Sequence, residues 1–169
     1  MPDMPPVGLS EIRGVLFDKD GTLISFEKTW GPAMGSAIRH YAAGDAALAE
    51  ALAAVSLFDL ETERFGDMSA AIAGTVADFA AGWARHLGVA ADQAFFTEVD
   101  GLLRHAARNS LAPIGVPHEV LAELVAMRHV CGIATNDAEA NAQEQARALY
   151  LQDHLSFVVG YDSGHGAKP

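Results

Sequence analysis

The hydrophobic positions divide the chain into three stretches of different character. Residues 12–17 form a short apolar run that ends on acidic residues, which predicts a buried strand of a parallel sheet. Residues 27–109 are rich in alanine, with apolar positions at helical spacing and no convincing strand. From residue 118 onward, helical patterns over 118–128 and 138–149 alternate with apolar strands over 130–134 and 157–159. Such alternation is typical of βαβ units and a parallel sheet.

The middle stretch predicts several helices and no sheet. One apolar stripe has successive spacings of four, three, four and four residues, and it consists of Ile72, Val76, Phe79, Trp83 and Leu87. This spacing predicts a single helix. A second helix is predicted over 95–106, with Asp92 as its N-cap. Shorter helices are predicted over 30–42 and 46–57.

The domain organisation follows from where the pattern changes. Two prolines and a glycine between residues 112 and 117 predict a linker that returns the chain to its first domain. The predicted architecture is an α/β core, a doubly wound parallel (Rossmann-like) sheet, interrupted after its first strand by an all-helical insertion. We assign residues 1–26 and 113–169 to the core and 27–112 to the insertion. Residues 1–10 contain three prolines and are expected to form a flexible lead-in.

Composition narrows the range of partners. The chain has 169 residues and a formal net charge of −11, without the cluster of lysine and arginine that a nucleic-acid backbone requires. No apolar segment approaches the roughly 20 residues of a membrane span, and the first residues lack the pattern of a signal peptide. Cys131 is the single cysteine and lies in an apolar strand, so it predicts a buried structural thiol. We expect a soluble, cytoplasmic protein of open oligomeric state that binds neither nucleic acid nor membrane.

The sequence Asp-Lys-Asp-Gly-Thr directly follows the first predicted strand. Ligands of open α/β sheets bind at the carboxyl ends of the strands, where Asp18 and Asp20 are placed. Asp18 can attack phosphorus, and Asp20 can protonate a leaving alcohol and then activate water. Gly21 permits a sharp turn, to which Thr22 offers a hydroxyl and an N–H. The alternative is an ordinary acidic turn without catalytic function.

Two further polar positions follow later strands. Thr135 ends an apolar strand and precedes a helix, so its hydroxyl can bind a phosphate oxygen beside the N–H groups of that helix. Capping of the helix is the alternative, and it is compatible with phosphate binding. Lys168 follows the strand over 157–159 and can offset the charge of two carboxylates and a phosphate. A solvated surface lysine is the alternative.

The chain resembles the haloacid dehalogenase (HAD)-like hydrolases in three features and in their order: DKDGT (residues 18–22), then Thr135, then Lys168. The insertion resembles the helical cap of the phosphoglycolate phosphatase-like members. The resemblance implies Mg²⁺-dependent hydrolysis of a small phosphate monoester, a phosphorylated metabolite, through an aspartyl-phosphate.

The resemblance also implies a role for individual residues. Asp18 would be the nucleophile and a metal ligand, and Asp20 the acid/base and, through its backbone carbonyl, a second metal ligand. The residues implied to bind phosphate are Thr22, Thr135, Asn136 and Lys168. Arg64 lies in a charged turn of the insertion and would either contact the substrate or be solvated.

One part of the family pattern is missing from this sequence. The family has a further acidic block on a later strand, which completes the Mg²⁺ shell, whereas this sequence stops one residue after Lys168. Asp162 is a weak substitute. We therefore expect the chain to be a fragment. Two alternatives to the phosphatase stay open: a phosphomutase of the same fold, and a catalytically inactive binding module.

Overall fold

The computed structural model describes residues 12–166 and Lys168, so the predicted lead-in lies outside the described residues. These residues form two compact units, one containing residues 12–24 with 113–166 and 168, the other residues 25–112. The strands, in chain order, are β1 Gly14–Phe17, β2 Phe58–Asp59, β3 Arg64–Phe65, β4 Val130–Ala134 and β5 Phe157–Val159. The helices are α1 Phe26–Ala42, α2 Ala46–Val55, α3 Ala70–Ala73, α4 Val76–Leu87, α5 Gln93–Ala107, α6 Pro117–Ala126 and α7 Glu139–Ala148. No helix in the described part of the chain is both long and apolar enough to cross a membrane.

The first unit contains a parallel sheet with the strand order β1-β4-β5. Phe17 of β1 pairs with Ile133 of β4, and Ala134 pairs with Val159 of β5. All three strands therefore end at the same edge, as the sequence predicts. The polar residues that follow each strand start from neighbouring positions on that edge, which is what positions the site.

The two faces of this sheet differ in how they are covered. Cys131 and Ile133 lie in a buried cluster with Leu121 of α6 and Ala146 of α7. The prediction of a buried thiol is confirmed, and burial raises the pKa of Cys131. The opposite face of the sheet carries apolar side chains that the described residues leave exposed, and these are Leu16, Val130 and Phe157.

The second unit is built on α1, α2, α4 and α5, with Trp83 fully buried at its centre. The indole N–H of Trp83 donates to the carbonyl of Leu52 at 2.9 Å and to Oγ of Ser56 at 2.8 Å. The one polar atom of a large buried ring is therefore satisfied. The predicted N-cap of α5 is confirmed, because the Asp92 carboxylate accepts from the Phe95 amide at 3.0 Å.

The predicted single helix through residues 72–87 is wrong at its start. Gly74 and Thr75 interrupt it, so Ile72 belongs to the short helix α3 and is 43% exposed. The interruption has a local cause. The Asp78 carboxylate accepts hydrogen bonds from the amide and hydroxyl of Thr75 at 2.6 and 2.8 Å, which caps a new helix at Thr75. Apolar spacing alone does not reveal a capping box.

The insertion also contains a hairpin that the sequence analysis does not anticipate. Strands β2 and β3 are two residues each and pair antiparallel, with Phe58 opposite Phe65. Asp59 closes the connecting turn by accepting from the amides of Glu61 and Thr62 at 2.9 and 2.8 Å. Two-residue strands are too short to produce an alternating pattern. Otherwise the unit is helical, as predicted.

Candidate functional site

The loop after β1 is a tight turn held by hydrogen bonds to the Lys19 carbonyl. The amides of Leu23 and Ile24 both donate to the Lys19 carbonyl, at 2.9 and 3.1 Å. Gly21 has a φ of +80°, a conformation that side chains rarely adopt, so glycine is required here. The Lys19 amide donates to Oδ1 of Asp18 at 2.7 Å. This bond fixes the Asp18 carboxylate at the end of the strand.

Lys168 reaches the same carboxylate from the far end of the described chain. Its Nζ lies 2.6 Å from Oδ1 of Asp18, and both side chains are partly exposed. The backbone amide of Lys168 donates to Oδ1 of Asn136 at 2.7 Å. Asn136 therefore holds the segment that carries Lys168, a contact that the sequence did not indicate. Three residues singled out from the sequence are brought together here.

Thr135 follows β4, two residues beyond the pair of Ile133 with Phe17. It is 4% exposed, its amide donates to the Val159 carbonyl, and its Oγ1 accepts from the Asp137 amide at 3.1 Å. Because Oγ1 is an acceptor in that bond, its proton remains available for a phosphate oxygen. Thr135 therefore orders the turn before α7, whereas the N-cap of that helix is Ala138. The capping alternative is wrong, and phosphate binding by Thr135 stays a prediction.

Asp20 forms an ion pair with Lys19, whereas Asp18 forms one with Lys168. Its Oδ2 lies 2.7 Å from Nζ of Lys19, a side chain that is 3% exposed. The same Nζ lies 3.0 Å from Oδ2 of Asp137 and donates to Oε1 of Gln145 at 2.7 Å. Each of the two carboxylates of the first loop is therefore paired with its own lysine.

Lys19 is a functional candidate that sequence reasoning missed, although the sequence contains a signal for it. Alternate residues of a strand face the same side, so Lys19 continues the inward-facing series of Val15 and Phe17. An inward-facing lysine needs acceptors. Asp137 and Gln145 supply them from the segment after β4, which is brought beside β1 only by the strand pairing.

The remaining site predictions make other contacts or belong to the second unit. Thr22 is exposed, and its amide donates to the Lys19 carbonyl at 3.3 Å. Arg64 is exposed on β3 of the second unit, and its role stays a prediction. Asp162 caps α7, because its Oδ1 accepts from the Glu139 amide at 2.8 Å. This bond holds one oxygen of the Asp162 carboxylate at the start of the helix, and its role as a metal ligand stays a prediction.

The oxygen atoms of Asp18 and of the Asp20 carbonyl are ligands that suit a hard cation such as Mg²⁺. Both donors that reach the Asp18 carboxylate from the described residues contact Oδ1, which leaves Oδ2 for an electrophile or a cation. Residues 12–166 and 168 hold no cluster of three or more metal-binding side chains. Mg²⁺ commonly keeps several waters and takes only one or two carboxylates. Asp18 and the Asp20 carbonyl therefore fit such an ion as two of its oxygen ligands.

A protein-family model matches almost all of the chain. The model of haloacid dehalogenase-like hydrolases matches residues 12–169. The chain belongs to the haloacid dehalogenase-like hydrolase family. The match confirms the resemblance seen in DKDGT, Thr135 and Lys168, and with it the HAD-like α/β fold. A search of curated proteins finds no significant match.

Solved structures share this HAD-like fold at low sequence identity. A protein from Haemophilus somnus, described as a predicted phosphoglycolate phosphatase, is 15% identical with a TM-score of 0.58, over 96% of this chain and 68% of its own. A candidate β-phosphoglucomutase from Thermotoga maritima is 18% identical with a TM-score of 0.59, over 94% of this chain and 65% of its own. A candidate phosphatase from Clostridium difficile is 16% identical with a TM-score of 0.56, over 88% of this chain. The chain spans 60% of that protein's length.

Proposed function

We propose that this HAD-like chain carries the catalytic loop of a Mg²⁺-dependent phosphatase, which hydrolyses a small phosphorylated metabolite through an aspartyl-phosphate on Asp18. The observation that carries the proposal is the 2.6 Å contact between Nζ of Lys168 and Oδ1 of Asp18. An ammonium in this position neutralises the nucleophile's charge while a phosphate dianion approaches. The remaining oxygen, Oδ2, is then the attacking atom.

The chemistry requires two transfers at phosphorus. Oδ2 of Asp18 forms a bond to phosphorus, the ester P–O bond breaks, and the leaving alkoxide takes a proton from the carboxyl group of Asp20. Asp20 then accepts a proton from water as the water oxygen bonds to phosphorus. The bond between phosphorus and Asp18 breaks, inorganic phosphate leaves, and both aspartates return to their starting states.

The other residues of the site act on the phosphate. Lys168 and the Thr135 hydroxyl bind its oxygens, and Asn136 keeps Lys168 in place through the hydrogen bond to its amide. A bound Mg²⁺ would offset the negative charge shared by Asp18 and the phosphate. Asp18 and the Asp20 carbonyl are the residues that would hold it. We also propose a cytoplasmic location, with which the single Cys131 is compatible, because one cysteine can form no disulfide within the chain.

A direct experiment tests the nucleophile. The chain is assayed with 4-nitrophenyl phosphate and MgCl₂, alongside Asp18→Asn and the matched control Asp67→Asn, an exposed aspartate of the second unit. Turnover that disappears in Asp18→Asn and persists in Asp67→Asn supports the proposal. After acid quenching with ³²P-labelled ester, the label should remain on the wild-type protein and be absent from Asp18→Asn. Turnover that survives Asp18→Asn contradicts the mechanism, and a wild-type chain without turnover favours the inactive module.

A further inference from the structure

The strongest feature outside the proposed phosphate contacts is the buried ammonium of Lys19. Its side chain is 3% exposed, and its Nζ has three acceptors, on Asp20, Asp137 and Gln145, at 2.7, 3.0 and 2.7 Å. An ammonium group has three protons to donate. Each of these three acceptors can take one of the protons, and together they define the position of the charge.

The three acceptors come from two different parts of the chain. Asp20 lies in the loop that carries the nucleophile, whereas Asp137 and Gln145 belong to the segment that follows β4. Asp137 is itself held, since its Oδ2 accepts from Nδ2 of Asn141 at 2.6 Å and its amide donates to Thr135. The Lys19 ammonium thus joins the loop of Asp20 to the turn of Thr135.

On this basis, and resting on the proposed function, we infer that Lys19 is a positioning residue for Asp20. The ammonium aims the Asp20 carboxyl group at the leaving oxygen and fixes it relative to the phosphate site on the other loop. Lys19 keeps two other acceptors, so its location does not depend on Asp20 alone. A positioned acid/base contributes to the rate only where a proton must be transferred.

The need for that proton depends on the leaving group, which gives a selective readout. An alkyl phosphate releases an alkoxide that must be protonated, whereas 4-nitrophenolate is stable without a proton. Loss of Lys19 should therefore slow hydrolysis of an alkyl ester far more than hydrolysis of the aryl ester. Damage to the fold, to Lys168 or to phosphate binding would slow both esters equally.

The experiment compares Lys19→Met with wild type on glycerol 2-phosphate and 4-nitrophenyl phosphate. We expect kcat for the alkyl ester to fall roughly 10²-fold, whereas kcat for the aryl ester should fall by less than about a tenth of that factor. The KM of each ester should change little. Arg147→Met removes an exposed cation from α7, close to Gln145 in sequence, and should leave both esters unchanged.

A second variant covers the case in which Lys19→Met does not fold. Gln145→Met removes one acceptor of the ammonium without removing a charge, and circular dichroism verifies that each variant is folded. Gln145→Met should lower kcat less than Lys19→Met does, and again mainly for the alkyl ester. Equal losses on the two esters in the folded variants, with Asp18→Asn inactive, would overturn the role of Lys19 and leave the phosphatase intact. A wild-type chain that hydrolyses neither ester would overturn both.

Discussion

Nζ of Lys168 lies 2.6 Å from Oδ1 of Asp18, although 150 positions separate the two residues in the sequence. The contact exists because β1, β4 and β5 run parallel and end at one edge of the sheet. Each strand delivers a short polar segment to that edge. The chemistry of the site is therefore assembled by strand order, and no single segment contains it.

Replacing Lys168 by methionine removes the cation beside the proposed nucleophile. We expect kcat to fall by roughly 10²- to 10³-fold, the range found when one preorganised electrostatic contact is removed from an active site. Steady-state kinetics with 4-nitrophenyl phosphate measure this, and Arg147→Met serves as the control for loss of a positive charge. A Lys168→Met variant with wild-type kcat would show that the ion pair with Asp18 does not act in catalysis.

Replacing Asn136 by alanine should loosen the segment that carries Lys168. The hydrogen bond from the Lys168 amide is worth about 1 kcal/mol, so kcat/KM should fall roughly fivefold while the fold is retained. Asn109→Ala, an exposed asparagine in the second unit, is the matched control and should have no effect. If Asn136 instead binds phosphate directly, the loss should appear mainly in KM and in the inhibition constant of inorganic phosphate.

The capping box of α4 makes stability depend on pH. Hydrogen bonds from the Thr75 amide and hydroxyl hold the pKa of Asp78 below its ordinary value of 3.8. A lowered pKa in the folded state means that the stabilisation is present above the unfolded-state pKa and is lost as pH falls through the folded-state pKa.

Asp78→Asn should therefore lower the free energy of unfolding by about 1 kcal/mol at pH 7, the usual size of a helix-cap contribution. The difference from wild type should shrink as the pH falls below about 4. Urea unfolding, followed by circular dichroism at several pH values, checks both statements, with Asp67→Asn as the control. A difference that stays constant with pH would contradict the role of the Asp78 charge.

Trp83→Phe should destabilise the second unit through two effects. It leaves space beside a fully buried position, and it removes the donor to Leu52 and Ser56. The Leu52 carbonyl still accepts from the Ser56 hydroxyl at 3.0 Å, so the cost of the lost indole hydrogen bonds is about 1 kcal/mol each. Urea unfolding would detect this cost as a lower midpoint. Trp30→Phe alters a ring that is only partly buried against the same core and should cost less. Equal costs for the two variants would contradict the importance of the indole contacts.

The sequence predicts the strands of the core, their order of appearance and the residues at their carboxyl ends, because all three depend on local pattern. Asp18, Thr135 and Lys168 are found in this way. The resemblance implies that Asn136 binds phosphate, which stays a prediction. The bond from the Lys168 amide to its Oδ1 joins segments 32 residues apart, so no local pattern predicts it. The local pattern does not single out Lys19 for a similar reason, since two of its acceptors belong to a segment that only the pairing of β1 with β4 brings near.

Local chemistry explains the other differences. The stripe through residues 72–87 has helical spacing throughout, but Thr75 and Asp78 satisfy each other's polar groups and start a new helix. The hairpin of β2 and β3 depends on the single carboxylate of Asp59 accepting two amides. Hydrophobic periodicity carries no information about either.

The two units differ greatly in the size of their cores. Among the described residues, sixteen buried apolar side chains form the cluster around Trp83, and six form the cluster beneath the sheet of the first unit. Regions with less buried apolar surface open more readily and exchange their amide hydrogens sooner. In deuterated solvent, the amides of α7 should therefore exchange before those of α4 and α5. The loops that carry Asp18, Thr135 and Lys168 belong to the unit that opens first, so gradual loss of the proposed phosphatase activity would precede loss of most of the helical signal.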